Sequence, residues 1–289
     1  MKAPMTIPDQ FATVKDVVKT QDATQEFLDN KQYCFKNILK YEFIFGPGFI
    51  STGGLDSTRN FFMADRYKQL TGDSLQSGDK RVLDIGCGIG GGDCFIVENF
   101  PNTFVHGVDL SSNCVRIAQE RYHGNDKLRF EVADVLSYEL PASSFDMIYS
   151  RDVILHIVSK KILFERLLTS AKKGGKLVIT DYCLGLGETD EEFNSYLIDR
   201  GYSLLTVAEY ANVIESAGWK IELAEDNSAL FEDILAKEKR NLEINQEEFL
   251  SKGLFTVGDL DDLLNGWDAK LRRMKKCQMS WGLFVAKKL

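Results

Sequence analysis

Asp152 and His156 stand four residues apart in SRDVILH (150–156), inside an otherwise apolar run. On a helix that spacing turns both side chains to one face. Held together, they could move a proton: the imidazole takes it, and the carboxylate orients the ring and stabilises its cation. The same pair buried in a core would hold a helix in place. Spacing alone leaves both readings open.

A second set of residues suits a ligand. VLDIGCGIGGG (82–92) puts Gly86, Gly88 and Gly90 between a strand and a helix. Glycines there tolerate positive φ and let backbone N–H groups approach a ligand closely. Asp84 sits at the end of the first strand, Asp109 ends the second, and Asp134, followed by Val135, ends the third. In a doubly wound sheet these strand ends face one crevice. Asp84 would repel a pyrophosphate at the glycine turn, but not a ligand bearing an ammonium and a sulfonium. S-adenosylmethionine fits: its cations near Asp84, its ribose on Asp109, its adenine beside Asp134. Taken singly, each residue could also serve only as a turn glycine or a helix cap.

These groups need a scaffold. Strands are expected at 81–86, 104–109, 128–134, 145–152 and 176–183, with helices between them. Ser111 or Ser112 caps the helix after the second strand, and the helix 160–175 is expected to end at its glycines. Such alternation predicts a parallel sheet with helices on both faces. An amphipathic helix (206–219) feeds a sixth strand, and residues 280–288 form a seventh. The mostly helical segment 227–279 between them is long for a connection. It is expected to join the N-terminal helices, which the Gly/Pro-rich FGPGFISTGG (45–54) interrupts, as a lid over the site. Residues 1–30 read as polar and loose.

Composition limits the partners. The 289 residues carry a net charge of −8. Such a chain has no long-range attraction for nucleic acid or anionic membranes. A small anionic substrate needs a local cation cluster; KLRRMKK (270–276) could be one, or simply a solvated helix face. The six cysteines form no CxxC pair and have no histidine at zinc spacing, so no metal site is expected. No apolar run approaches the roughly 20 residues of a membrane helix, and MKAPMTIPDQFATVKD lacks an apolar signal core. A cytoplasmic monomer is expected. His106 reads as packed within a strand and His123 as exposed.

The motifs VLDIGCGIGG, GVDLS and ADV, with a seventh strand after a helical insertion, resemble the class I S-adenosylmethionine-dependent methyltransferases. That likeness implies a Rossmann-like, seven-stranded, mostly parallel α/β sheet whose last strand is antiparallel. It divides one methyltransferase domain (1–289) into a helical cap (1–75), a cofactor-binding core (76–226), a lid insertion (227–279) and a last strand (280–289). The flanks NKQYCFKNILKYEFIFGPGFISTGGLDST (30–58), YSRDVILHI (149–157), LVITDYC (177–183), YLIDRGYSLLTVAEY (196–210) and NGWDAKLRRMKKCQMSWGLF (265–284) are similar to phosphoethanolamine N-methyltransferases, over residues 25–289.

The resemblance implies a small phosphobase substrate and roles for particular residues. Asp152 and His156 match the catalytic pair. Gln32, Tyr33, Tyr41, Tyr182, Tyr196, Arg200, Tyr202 and Lys270 match phosphobase-binding positions. Ile50, Ser51, Gly86, Asp109, Leu110, Asp134, Val135 and Arg151 match cofactor contacts. The chemistry agrees, since a guanidinium, an ammonium and phenols suit a phosphate, and aromatic rings suit a methylammonium. A substrate ammonium has a pKa near that of lysine, about 10.4. His156 is therefore the expected base, with Asp152 one turn earlier as its orienting partner. Alternatives are another small amine such as glycine or sarcosine, a phospholipid headgroup, and a cofactor-binding protein without catalysis. Relatives include chains with two such domains and enzymes that perform different subsets of three methylations.

Overall fold

The computed structural model describes residues 25–253 and 255–289. The loose start expected for residues 1–30 falls largely outside them. A short π-helical stretch, Leu28–Gln32, precedes helices α1 (Phe35–Phe45) and α2 (Gly54–Met63). The loop between α1 and α2 is the expected Gly/Pro-rich break.

Seven strands follow: β1 (Lys80–Ile85), β2 (Thr103–Asp109), β3 (Leu128–Val132), β4 (Phe145–Arg151), β5 (Ala171–Leu184), β6 (Lys220–Asp226) and β7 (Met279–Lys287). They form one sheet in the order β3-β2-β1-β4-β5-β7-β6. β7 runs antiparallel to both β5 and β6, while the β1–β2, β1–β4, β2–β3 and β4–β5 pairs are parallel. The expected α/β topology with an antiparallel last strand is therefore observed. Central strands are apolar on both faces because helices cover both. Leu83, Ile148, Leu177 and Ile179 pack on one side, and Val82, Met147, Val178 and Val285 on the other. Edge strand β6 instead alternates half-buried and exposed residues.

Helices α3 (Gly91–Asn99), α4 (Ser112–Arg121) and α5 (Lys160–Ser170) join the parallel strands. Ser111 caps α4, its hydroxyl accepting from the Cys114 N–H at 3.3 Å. Helix α5 ends at Ser170 rather than at its glycines. Ala171 is already extended, and Gly174 and Gly175 sit where β5 starts beside an irregularity in β4. A Cβ on Gly175 would stand 3.1 Å from the Phe145 carbonyl. The strand expected over 128–134 stops at Val132, and Asp134 instead opens a turn, accepting from the Leu136 N–H at 2.9 Å.

Beyond β5 come α6 (Glu191–Arg200) and α7 (Val207–Ser216), the latter started by a Thr206–Glu209 capping box. The segment between β6 and β7 forms α8 (Ser228–Ile244), α9 (Gln246–Ser251) and α10 (Val257–Lys275). It packs on the N-terminal helices: Phe43 meets Phe249 at 4.9 Å, and the Lys40 ammonium binds Asp259. Asp259 also completes the capping box of α10, so one carboxylate starts that helix and anchors α1 to it.

Candidate active site

The C-terminal strand ends open into a cavity of about 220 Å³. Its first wall is the turn after β1. Gly86 and Gly88 have φ of 73° and 54°. A Cβ on Gly86 would lie 2.2 Å from Val153, so the turn closes only on glycine. Gly88 N–H donates to Asp109 Oδ2 and Ser111 N–H to Asp109 Oδ1, both at 2.8 Å. Asp109 is thus oriented from below and retains lone pairs for a diol. Burial raises its pKa, against these N–H donors.

Asp84 is 4% exposed in the same wall, with Asp93 behind it. Burial pushes both carboxyls up, and Asp93 adds to the effect on Asp84. The Asp84 carboxyl, pushed up in this way, keeps a proton that it donates to Asp93. The sequence reading missed Asp93. Its signal was an acid in the first turn of α3, where the helix dipole favours it.

The second wall comes from β4. Asp152 follows the strand at φ 55°, a left-handed conformation that aspartate tolerates better than most residues. Its N–H donates to the Thr180 carbonyl at 2.8 Å. Only Ile154–His156 form a helical turn, of 3-10 type, so the expected shared helix face is not formed. Asp152 Oδ1 accepts from the Trp281 indole at 2.8 Å and from Thr180 Oγ1 at 3.3 Å. Asp152 Oδ2 is buried and unpartnered. Among the described residues no hydrogen bond joins Asp152 to His156. The expectation that Asp152 orients the ring is corrected accordingly: its carboxylate is held by β5 and β7. The ring of His156 packs edge-on against Tyr202, centroids 5.0 Å apart. Burial, then the Lys160 and Arg200 cations, lowers the His156 pKa to about 4.

Arg151 points to the N-terminal segment. It donates to the Gly54 carbonyl (3.0 Å), Thr58 Oγ1 (2.6 Å) and the Thr52 carbonyl (2.6 Å), holding the loop that carries Ile50 and Ser51.

The third wall is aromatic and cationic. Tyr196 and Tyr202 stand perpendicular, centroids 5.7 Å apart, and Tyr182 lies 6.3 Å from Tyr202. Lys270 Nζ lies 5.0 Å from the Trp267 ring centroid and 5.7 Å from that of Tyr182. Burial lowers its pKa, opposed by Glu238. Arg200 lies 5.8 Å from the Tyr196 ring and Arg273 only 3.9 Å from it. The stretch 270–276 is therefore divided by helical periodicity: Lys270 and Arg273 turn inward, while Arg272, Lys275 and Lys276 are exposed.

All the site residues named from sequence line this cavity except Gly90, Leu110, Asp134 and Val135. Val135 is core, and Asp134 keeps a buried, unpartnered Oδ2. Outside the cavity, His106 bonds Glu131 at 2.8 Å and His123 is exposed. The glycine turn and Asp109 fit the adenosyl ribose, and Asp84 fits an ammonium. Among the described residues no helix is long and apolar enough to cross a membrane.

Comparison with known proteins agrees with this arrangement. A family described as "Methyltransferase domain" matches residues 76–247. Phosphoethanolamine N-methyltransferase 1 of Triticum aestivum is 44% identical over 265 residues, covering 91% of this chain and 51% of the wheat protein. The Plasmodium falciparum phosphoethanolamine N-methyltransferase is 38% identical, covering 94% of this chain and 99% of the parasite protein. The chain thus spans about half the length of the plant relatives it matches, such as the wheat protein (51%). Haemonchus contortus phosphoethanolamine N-methyltransferase 2, solved with phosphomonomethylethanolamine and S-adenosylhomocysteine, superposes with a TM-score of 0.84 at 36% identity, covering 91% of this chain and 59% of that one. The chain belongs to the phosphoethanolamine N-methyltransferase family.

Proposed function

We propose that the protein methylates the amine nitrogen of phosphoethanolamine, or of its mono- and dimethyl forms, toward phosphocholine, with S-adenosylmethionine as donor. One observation carries the proposal: a single cavity joins the glycine–aspartate wall to the Arg200–Lys270–tyrosine wall, with Asp152 and His156 lining it as well. The cofactor, when bound, supplies an electrophilic methyl group on its sulfonium.

The rest is the work of this chain. Arg200 and Lys270 bind the phosphate and fix one end of the substrate. The amine then meets the free Oδ2 of Asp152, and Tyr182 and Tyr202 offer ring faces to its cationic form. His156 accepts the proton that frees the lone pair. At a pKa of about 4 it is neutral near pH 7, and so able to accept a proton, but weak as a base. A dianionic phosphate beside Arg200 offsets one of the charges that depress it, so substrate binding strengthens the base. Walls that line up nitrogen, methyl and sulfur contribute by positioning.

The test is methyl transfer from labelled S-adenosylmethionine to phosphoethanolamine and its mono- and dimethyl forms, with glycine and sarcosine alongside. Turnover of any phosphobase, and loss of it in His156→Ala with cofactor binding kept, is expected. Methylation of glycine or sarcosine in place of the phosphobases would overturn the substrate assignment.

A further inference from the structure

Glu238, on α8, is named by no motif and lies outside the cavity lining, yet its carboxylate meets both sides of the site. Its Oε1 accepts from the Gly53 N–H at 2.7 Å. Its Oε2 accepts from the Trp267 indole at 3.1 Å. Gly53 closes the loop that carries Ile50 and Ser51 on the cofactor side, and Arg151 grips the adjacent Thr52 carbonyl from the sheet at 2.6 Å. Trp267 is the ring against which Lys270 stacks on the substrate side, at 5.0 Å. It also packs against Phe45 at the end of α1, at 5.9 Å. One partly buried carboxylate therefore ties a cofactor-side loop to a substrate-side helix, using one oxygen for each.

We propose that Glu238 is a positioning residue that couples the two ligand sites, so that phosphobase and cofactor favour each other's binding. The inference rests on the functional reading above. Coupling needs an element that both ligands bias. Phosphate on Lys270 fixes Trp267 and, through Glu238, Gly53; the cofactor fixes the same loop from the other side. Without the carboxylate both donors lose their acceptor, and each wall can settle independently.

The experiment titrates S-adenosylhomocysteine calorimetrically, with and without saturating phosphoethanolamine. In the unaltered protein phosphoethanolamine should tighten S-adenosylhomocysteine binding at least about fivefold. Glu238→Ala should bring that ratio to within about twofold of unity. Glu238→Gln keeps an acceptor for one donor and should retain part of it. Trp267→Phe keeps a ring under Lys270, removes the indole donor, and should also lose part. Should Glu238→Ala fail to fold, the latter two variants decide. Asp56→Asn weakens only exposed ion pairs, with Lys237 (3.4 Å) and Arg59 (3.7 Å), and should leave the ratio intact. Undiminished coupling in the Glu238 and Trp267 variants, or none in the unaltered protein, overturns the proposal alone. Failure of phosphoethanolamine to bind the unaltered protein overturns the functional reading, and this proposal with it.

Discussion

The Trp281 indole donates to Asp152 Oδ1 across 2.8 Å, although the two residues lie 129 positions apart. β7 pairs antiparallel with β5 so that Trp281 faces Tyr182, one strand beyond the end of β4. The antiparallel last strand thereby sets which oxygen of Asp152 is left for a ligand. Trp281→Phe keeps the ring and removes the donor. A hydrogen bond to a charged group contributes about 1.5–3 kcal/mol, so kcat/KM for the phosphobase should fall roughly 10–100-fold. S-adenosylhomocysteine affinity should stay within about twofold. Equal loss of both, by steady-state kinetics and calorimetry, would mean that the indole serves only the fold.

His156 should leave a signature in stability as well as in rate. Its folded pKa is about 4, against 6.5 when unperturbed. The unfolded chain therefore takes up a proton between those values that the folded chain refuses, and stability falls as pH drops from 6.5 toward 4. The loss is at most about 3 kcal/mol. His156→Gln should remove it. Urea melts of both proteins at pH 7 and pH 4.5 test the difference; parallel losses would show that the ring is not held neutral.

Arg200 and Lys270 should act on the substrate and not on the cofactor. Arg200→Met or Lys270→Met should raise KM for phosphoethanolamine by roughly 10–100-fold, the scale of one charge-assisted bond. Arg200→Met should also raise the His156 pKa, because that guanidinium is one of the cations lowering it. The acid limb of kcat/KM would then move to higher pH. A KM effect without that movement would place Arg200 on the phosphate but away from the base.

The sheet was legible because its strands are short apolar runs bounded by glycines and acids, and local patterning reports that directly. So were Asp84, Asp109 and the glycine turn, since strand ends converge by topology. Partners across the fold were not. Spacing put Asp152 and His156 on one helix face, but the positive φ of Asp152 breaks the helix before it starts. Trp281, Glu238 and Arg273 carried no local signal, because their roles arise where distant elements meet. Arg273 was visible only as one charge in a basic run, until α10 turned it onto Tyr196.

Lys160 makes the last prediction. Its ammonium donates to the carbonyls of Ile154 (2.9 Å), Ile157 (2.7 Å) and Ser203 (2.7 Å). Two of these flank His156, and the third adjoins Tyr202, so one cation fixes both the ring and the phenol it packs against. Burial pulls the Lys160 pKa down, and the buried Asp181 carboxylate opposes this. Lys160→Met would take this donor from all three carbonyls, of which Ile154 keeps the Ile157 N–H at 2.9 Å. Leaving a buried carbonyl without a donor costs roughly 1–3 kcal/mol. The urea midpoint should drop accordingly. At concentrations where the variant is still folded, kcat should fall as well, because His156 and Tyr202 lose their common anchor. A lower midpoint with unchanged kcat would restrict Lys160 to stabilising the fold, and an unchanged midpoint would refute the clamp itself.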